Sequence, residues 1–270
     1  METVFRKEIK YLISRREAMI LQQKLDGIME RDIHGENGRY FIRSQYYDSI
    51  DDQDLWDNLD GMYEKRKIRL RIYSLNDLSA KLEFKCKNGS DGMKYSIPVS
   101  REQALRMEQG DASFLLEYET ELAMRLYLRI TQGCYRPKTI IDYQRLAFAY
   151  PAGDVRITFD TDIRGALYPY GLFENVGTDA LGSTEQVLME VKYTGFLPDM
   201  IAEILKKTDE LSTSHSKIFQ SQNEMAVSFV YGRLEIVDKP DAGIGERDER
   251  IYCRKFNKYR STERDCDFNE

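Results

Sequence analysis

The chain of 270 residues is poor in cysteine and poorer in histidine. Its four cysteines, Cys86, Cys134, Cys253 and Cys266, form no C-x-x-C pair and no dense framework. That argues against a disulfide scaffold and fits a reducing compartment, so a cytoplasmic location is expected. With only two histidines, His34 and His215, a Cys/His zinc cluster is not expected. No run approaches the roughly 20 apolar residues of a membrane span, so no transmembrane segment is expected. The stretch METVFRKEIKYLI carries charges where a secretory signal needs an apolar run. A basic balance is lacking too: the net charge is −6 and the pI about 5.3. This counts against a general nucleic-acid binder but leaves room for a local basic site. There is no internal repeat and no low-complexity run.

What the sequence does have is charge inside strand-like segments. Arg69 and Arg71 lie in KIRLRIY, and Lys81, Glu83, Lys85 and Lys87 in KLEFKCK. Arg156, Asp160 and Asp162 lie in VRITFDTD, and Glu190 and Lys192 in LMEVKY. The charges fall two apart with Ile, Leu, Phe or Val between them. Successive side chains of a strand point to opposite faces, so each segment has one apolar and one charged face. An ordinary half-exposed strand shows water a mixed polar face. Here cations dominate that face and recur from segment to segment, as a surface for a polyanion requires.

Eight strand candidates result: 4–13, 39–48, 65–74, 79–87, 93–100, 138–150, 154–163 and 186–193. Ser14 opens a helix predicted over 16–29, and a short helix is expected near 51–59. Residues 100–130 read as helical from Ser100 onward, with FLLEYETELAMRLYLRI as one continuous stretch. Asn88-Gly89 and Asp91-Gly92 suggest a hairpin with a longer loop, and Ala152-Gly153-Asp154 a second hairpin. PDMIAEILKKTDEL and KIFQSQNEMAVSFVYG complete the helices. The 41% hydrophobic content supports a sizeable core. Residues 1–231 are expected to form one domain, and residues 232–270, of mixed charge and few aliphatics, a charged flexible tail.

Eight antiparallel strands of this kind can close into a barrel. Its apolar face must look outward onto helices, because unbalanced like charges cannot be buried. The expected fold is therefore α+β: a closed eight-stranded antiparallel β-barrel, a tunnel, with helices packed around it.

In this order, FRKEIKY, KIRLRIY with KLEFKCK, YQRLAF, VRITFDTD, LMEVKY and SHSKIF resemble the triphosphate tunnel metalloenzymes. Within them the likeness is to the VTC domain, the polyphosphate polymerase type, and it spans about residues 4–230. The resemblance implies that Lys10, Arg69, Arg71, Lys85, Arg145 and Arg156 line the tunnel and hold phosphates. It implies that Lys217, on a C-terminal helix, closes it. Lys87, Lys94 and Lys192 are secondary phosphate candidates. Glu190 would be the metal carboxylate, and Glu8 is a second candidate facing the same way as Lys10. Ser214 and Ser96 stand where the family often has further basic residues. The implied activity is transfer of the ATP γ-phosphate to a polyphosphate chain with Mn²⁺ or Mg²⁺. A tripolyphosphatase or nucleoside triphosphatase, and a non-catalytic polyphosphate-binding regulatory module, are the alternatives. ATP and inorganic polyphosphate are the expected partners, nucleic acid is not, and a membrane-protein partner stays open.

The residue types suit that chemistry. Phosphoryl transfer needs phosphates aligned and their charge neutralised. Arginine supplies planar two-pronged contacts to phosphate oxygens, and lysine a mobile point charge. A hard divalent cation takes oxygen ligands, commonly one or two carboxylates plus substrate oxygens.

Overall fold

The computed structural model describes residues 6–88, 91–167 and 170–212. All of them fall within the first of two units, Met1–Glu235. Residues 213–270, and with them Ser214, Lys217, the second C-terminal helix and the tail, lie outside the described residues.

Eight strands form one continuous antiparallel ladder in the order β1-β10-β8-β7-β3-β4-β5-β6. They are β1 (Arg6–Ser14), β3 (Arg39–Asp48), β4 (Glu64–Ile72), β5 (Ser79–Asn88), β6 (Asp91–Ser100), β7 (Arg136–Tyr150), β8 (Val155–Leu167) and β10 (Gln186–Thr194). Two-residue strands, β2 (Glu30–Arg31) and β9 (Asp179–Ala180), pair with β7 and β8.

The helices are α1 (Arg15–Leu25), α2 (Gln53–Leu59), α3 (Arg101–Glu108), α4 (Glu121–Gln132) and α5 (Asp199–Ser212). Capping chemistry sets their starts. Ser14 Oγ accepts from the Glu17 N–H, while Glu17 accepts from the Ser14 N–H at 2.7 Å. Ser100 and Gln103 repeat this reciprocal pattern at α3. The N-cap of α2 has no side-chain bond of its own. Instead Asp48, at the end of β3, accepts the N–H groups of Asp54 and Leu55 at 2.9 and 2.8 Å. Burial pushes its carboxyl up to about 6. The helix expected over residues 114–130 is two pieces. A 3-10 turn, Ser113–Tyr118, ends at Glu119, whose φ of 49° is left-handed, and Thr120 then caps α4. The helix expected over residues 16–29 stops at Leu25. Asn88 pairs with Asp91, so the β5–β6 hairpin is tighter than expected.

The apolar strand faces look outward. Ile68, Leu70, Ile72, Leu82, Ile97 and Val99 pack with α3, the 3-10 turn and α4. Ile13, Phe148, Ile157, Phe159, Met189 and Val191 pack with α1 and α5. The register places the charged residues together on the other side. Arg69 lies opposite both Tyr46 and Glu83, Arg145 opposite Asp160, and Lys10 opposite Glu190.

The sheet is not closed into a barrel, which corrects that part of the expectation. Among the described residues no ladder joins the two edges, β1 and β6. Pro98 in β6 has no N–H to donate, and its carbonyl is taken by the Tyr118 hydroxyl at 2.6 Å. The curl is still strong: Glu8 of β1 lies 3.6 Å from Lys85 of β5.

Asp54 ties α2 to α4. It is 1% exposed and accepts from Arg129 and the Tyr135 hydroxyl, each at 2.8 Å. Asp54→Ala should cost about 3–5 kcal/mol, as expected when one partner of a buried ion pair is removed. Urea unfolding checks this, and a loss below about 1 kcal/mol would show that the tie is dispensable.

Candidate phosphate-binding site

The concave face is built by alternate residues of all eight ladder strands, in phase with one another through the registers. Its centre is Glu83 on β5, 4% exposed. Arg69 Nε donates to it at 2.6 Å, Arg71 Nη1 lies 3.8 Å away, and Lys94 of β6 is in direct contact. Burial raises the Glu83 carboxyl, but Arg69, Arg71 and Lys94 outweigh it and bring it down to about 2. Arg69 also donates to the Tyr46 hydroxyl at 2.9 Å, and Arg71 to Ser44 and to the Tyr143 hydroxyl, each at 3.2 Å. Burial pushes the Tyr143 hydroxyl up.

To one side, Arg145 holds Asp160 with two bonds of 2.7 Å, and its guanidinium lies over the Tyr143 ring. Arg156 reaches across to Asp32 at 2.5 Å and to the Tyr40 hydroxyl at 3.2 Å.

To the other side is a lysine-carboxylate cluster on β1, β10, β4 and β5. Lys192 lies 2.7 Å from Glu190 and 3.8 Å from Glu8. Lys10 is about equidistant from the two, at 4.0 and 3.9 Å. Burial raises the Glu190 carboxyl, but hydrogen bonding with Glu8 and the charges of Lys192 and Lys10 hold it well below the usual range. Lys67, in phase with Arg69 and Arg71, completes the cluster. Burial first, then repulsion from Lys10, Lys85, Arg69 and Lys65, brings its ammonium down to about 7.

Of the residues singled out from sequence, Lys10, Arg69, Arg71, Lys85, Lys94, Arg145, Arg156, Lys192, Glu8 and Glu190 therefore share one face. Lys87 shares their phase but is exposed at the hairpin end, opposite Lys65 and Gly92. Asp160 neutralises Arg145, and Asp162 is exposed with a left-handed backbone. Sequence reasoning passed over Lys67 and Tyr143, although the two-residue period of KRKIRLRIY and DYQRLAF reaches both. The face is also not charged throughout: Leu12, Ile42, Ile141 and Leu188, on the same side, form an apolar cluster with Ile163 and Leu181.

Glu190 and Glu8 are the residues able to hold a divalent cation. Among the described residues no group of three or more His, Cys, Asp or Glu is placed for a metal. The two carboxylates nevertheless fit a hard cation that draws its remaining ligands from phosphate oxygens and water. Thr158, cross-strand from Glu190, has a buried hydroxyl oxygen without a hydrogen-bond partner among the described residues. The donor set on offer is thus all oxygen.

The family model for the VTC domain matches residues 5–226. No curated protein matches the chain. Among solved structures, a proposed adenylate cyclase from Bacillus halodurans is 12% identical, with a TM-score of 0.46 over 83% of this chain and 96% of its own. A conserved hypothetical protein from Pyrococcus furiosus is 12% identical, TM-score 0.38, over 77% and 90%. The PH1819 protein from Pyrococcus horikoshii is 13% identical, TM-score 0.35, over 77% and 89%. Likeness at this level carries nothing about activity. Among the described residues no helix is long and apolar enough to cross a membrane.

The depressed Glu83 carboxyl gives a pH prediction. Its folded pKa of about 2 lies below the ordinary 4.5, so its stabilising share is complete above pH 4.5 and is lost as pH falls towards 2. Glu83→Gln should lower stability at neutral pH by about 2–4 kcal/mol and flatten the acid limb of the stability curve. Chemical unfolding at stepped pH reads both effects. Parallel acid limbs in the two proteins would mean that Glu83 is not what holds the arginines.

Proposed function

The chain belongs to the VTC domain family, and we propose that it is a polyphosphate polymerase that transfers the ATP γ-phosphate to a polyphosphate chain lying along the basic concave face. The observation that carries this reading is the convergence of arginines and lysines from β1, β4, β5, β6, β7, β8 and β10 on one face, with the Glu8–Glu190 pair among them. Residues 1–231 would form the working domain, with residues 232–270 as an appended tail. A soluble, cytoplasmic protein suits a substrate such as ATP, and a membrane protein could take up the product.

In this reading Arg69, Arg71 and Arg145 grip the phosphate oxygens, since their planar groups make paired bonds in fixed directions. Lys10, Lys85, Lys94 and Lys192 follow the chain as point charges, with Lys87 and Arg156 at its ends. Bringing donor and acceptor phosphates into line is the protein's main task, because repulsion between two polyanions opposes their approach. Glu190 and Glu8 would hold Mn²⁺ or Mg²⁺, which would neutralise charge on the transferred phosphoryl group. A divalent cation there would take the place of Lys10 and Lys192 as the partner of both carboxylates.

Incubation of the full chain with ATP and Mn²⁺, followed by phosphorus NMR and gel analysis, should show long-chain polyphosphate. Free phosphate alone would make it a hydrolase, and no turnover with any divalent metal a binding module. Glu190→Gln should abolish metal-dependent turnover while the protein still melts cooperatively and still binds tripolyphosphate without metal. Unchanged turnover and metal response would remove Glu190 from the mechanism.

Arg71→Ala should weaken tripolyphosphate by about 1.5–3 kcal/mol, typical of charge-assisted bonds. Raising salt should weaken the wild type steeply, because several cations meet one highly charged ligand. Calorimetry showing equal affinities for wild type and variant would exclude Arg71 as a phosphate ligand.

A further inference from the structure

One aromatic group on the concave side has no part in the phosphate reading. Tyr73 follows β4 immediately, two residues beyond Arg71, and is 38% exposed. Lys81, opposite Arg71, lies over its ring at 5.1 Å. The Tyr40 ring is tilted against it at a centroid distance of 6.0 Å, and His34 meets Tyr40 edge-on at 6.4 Å. The Tyr40 hydroxyl accepts from Arg156, and the charges of Arg145 and Arg156 bear on it. The group is therefore a half-open aromatic platform flanked by Lys81 and Arg156 and continuous with the arginine row.

Packing does not account for it. Tyr73 and Tyr40 fill no closed core: Tyr73 is outside all three buried clusters, and Tyr40 only borders the apolar cluster of the concave side. The two rings are inclined at 58° with Lys81 over one of them, and such a cleft between π-surfaces with cations beside it suits the base of a nucleotide, its ring stacking while its phosphates meet the cations.

We propose that the Tyr73–Tyr40 platform seats the base of a nucleoside triphosphate, whose phosphates run from Arg156 and Lys81 towards Arg145 and Arg71. The face would then distinguish a nucleoside triphosphate from inorganic tripolyphosphate, which has nothing to place on the tyrosines. This rests on the phosphate-binding reading above. It adds the donor's orientation: the base at the platform, and the γ-phosphate towards the Glu8–Glu190 cluster.

The test is calorimetric titration of the full chain with ATP and, separately, with inorganic tripolyphosphate at one salt concentration. Wild type, Tyr73→Ala and Tyr73→Phe are compared. Tyr73 is exposed, so both variants should fold, and melting curves verify it. Loss of a stacked base should weaken ATP about fivefold or more in Tyr73→Ala, while Tyr73→Phe stays near wild type because the π-face is kept. Tripolyphosphate affinity should stay within about twofold in both variants, because stacking plays no part in it. Unchanged ATP affinity in Tyr73→Ala, or equal weakening of both ligands, overturns the nucleobase seat and leaves the phosphate site standing. Wild type that binds neither ligand overturns the phosphate reading, and the seat with it.

Discussion

Like charges crowded on one concave surface repel, and the rest of the architecture answers to that. Glu83 sits where Arg69, Arg71 and Lys94 meet, Asp160 takes Arg145, and Glu190 with Glu8 stands among Lys10, Lys85 and Lys192. Glu83, Asp160 and Glu190 each lie one strand from an arginine or lysine they pair with, so the balance depends on register. A one-residue slip of β5 would turn Glu83 outward among Leu70, Ile97 and the helices, and Leu82 inward among arginines. Charge balance on one face and apolar burial on the other thus specify the same pairing.

That double specification made much of the fold legible. All eight ladder strands could be read, and so could the facing of KIRLRIY, KLEFKCK, VRITFDTD and LMEVKY, because a charge-apolar period of two is hard to satisfy any other way. The helix starts at Ser14 and Ser100 were legible from the serines themselves, and the structure adds their capping boxes. What could not be read depends on contacts distant in sequence. β2 and β9, of two residues each, carry no period. The break at Glu119 depends on a left-handed residue and a Thr cap inside a run whose apolar spacing reads straight through. Arg43 lies in a segment like the others, yet it faces outward, 3% exposed, bound to Asp142 and to the carbonyls of Leu172 and Glu174. Nothing local distinguishes it from the concave-face arginines, because its partners are about 100 residues or more away.

That charged residues from several strands share one face was legible, but the limits of that face were not. Alternation implied a face charged from end to end, whereas Leu12, Ile42, Ile141 and Leu188 make part of it apolar. Those residues share the phase of Lys10, Arg145 and Glu190, and only the three-dimensional curl shows that they meet. It also shows that the edges do not pair. Counting strands gives a number compatible with closure, but closure needs two edges free to exchange hydrogen bonds, and Pro98 and Tyr118 spoil one of them.

Paired cations do not make a weak phosphate site. A monoanion would have to break ion pairs with Glu83, Asp160 or Glu190 for a single new contact each time. A chain of phosphates replaces several pairs at once while staying one ligand, so the ordering cost is met once and the contacts add. On the proposed reading, the resident carboxylates would favour long anions over short ones. Glu8 occupies a special place in that exchange. It lies within 4 Å of Lys10, Lys85 and Lys192, and so reaches from the edge strand β1 across the open side of the sheet to β5. If, as proposed, Glu8 turns with Glu190 to a divalent cation, its hold on Lys85 weakens. Lys85 would then be free to hold a phosphate. The same carboxylate would draw the curled sheet together when the site is empty and release a phosphate ligand when it is loaded.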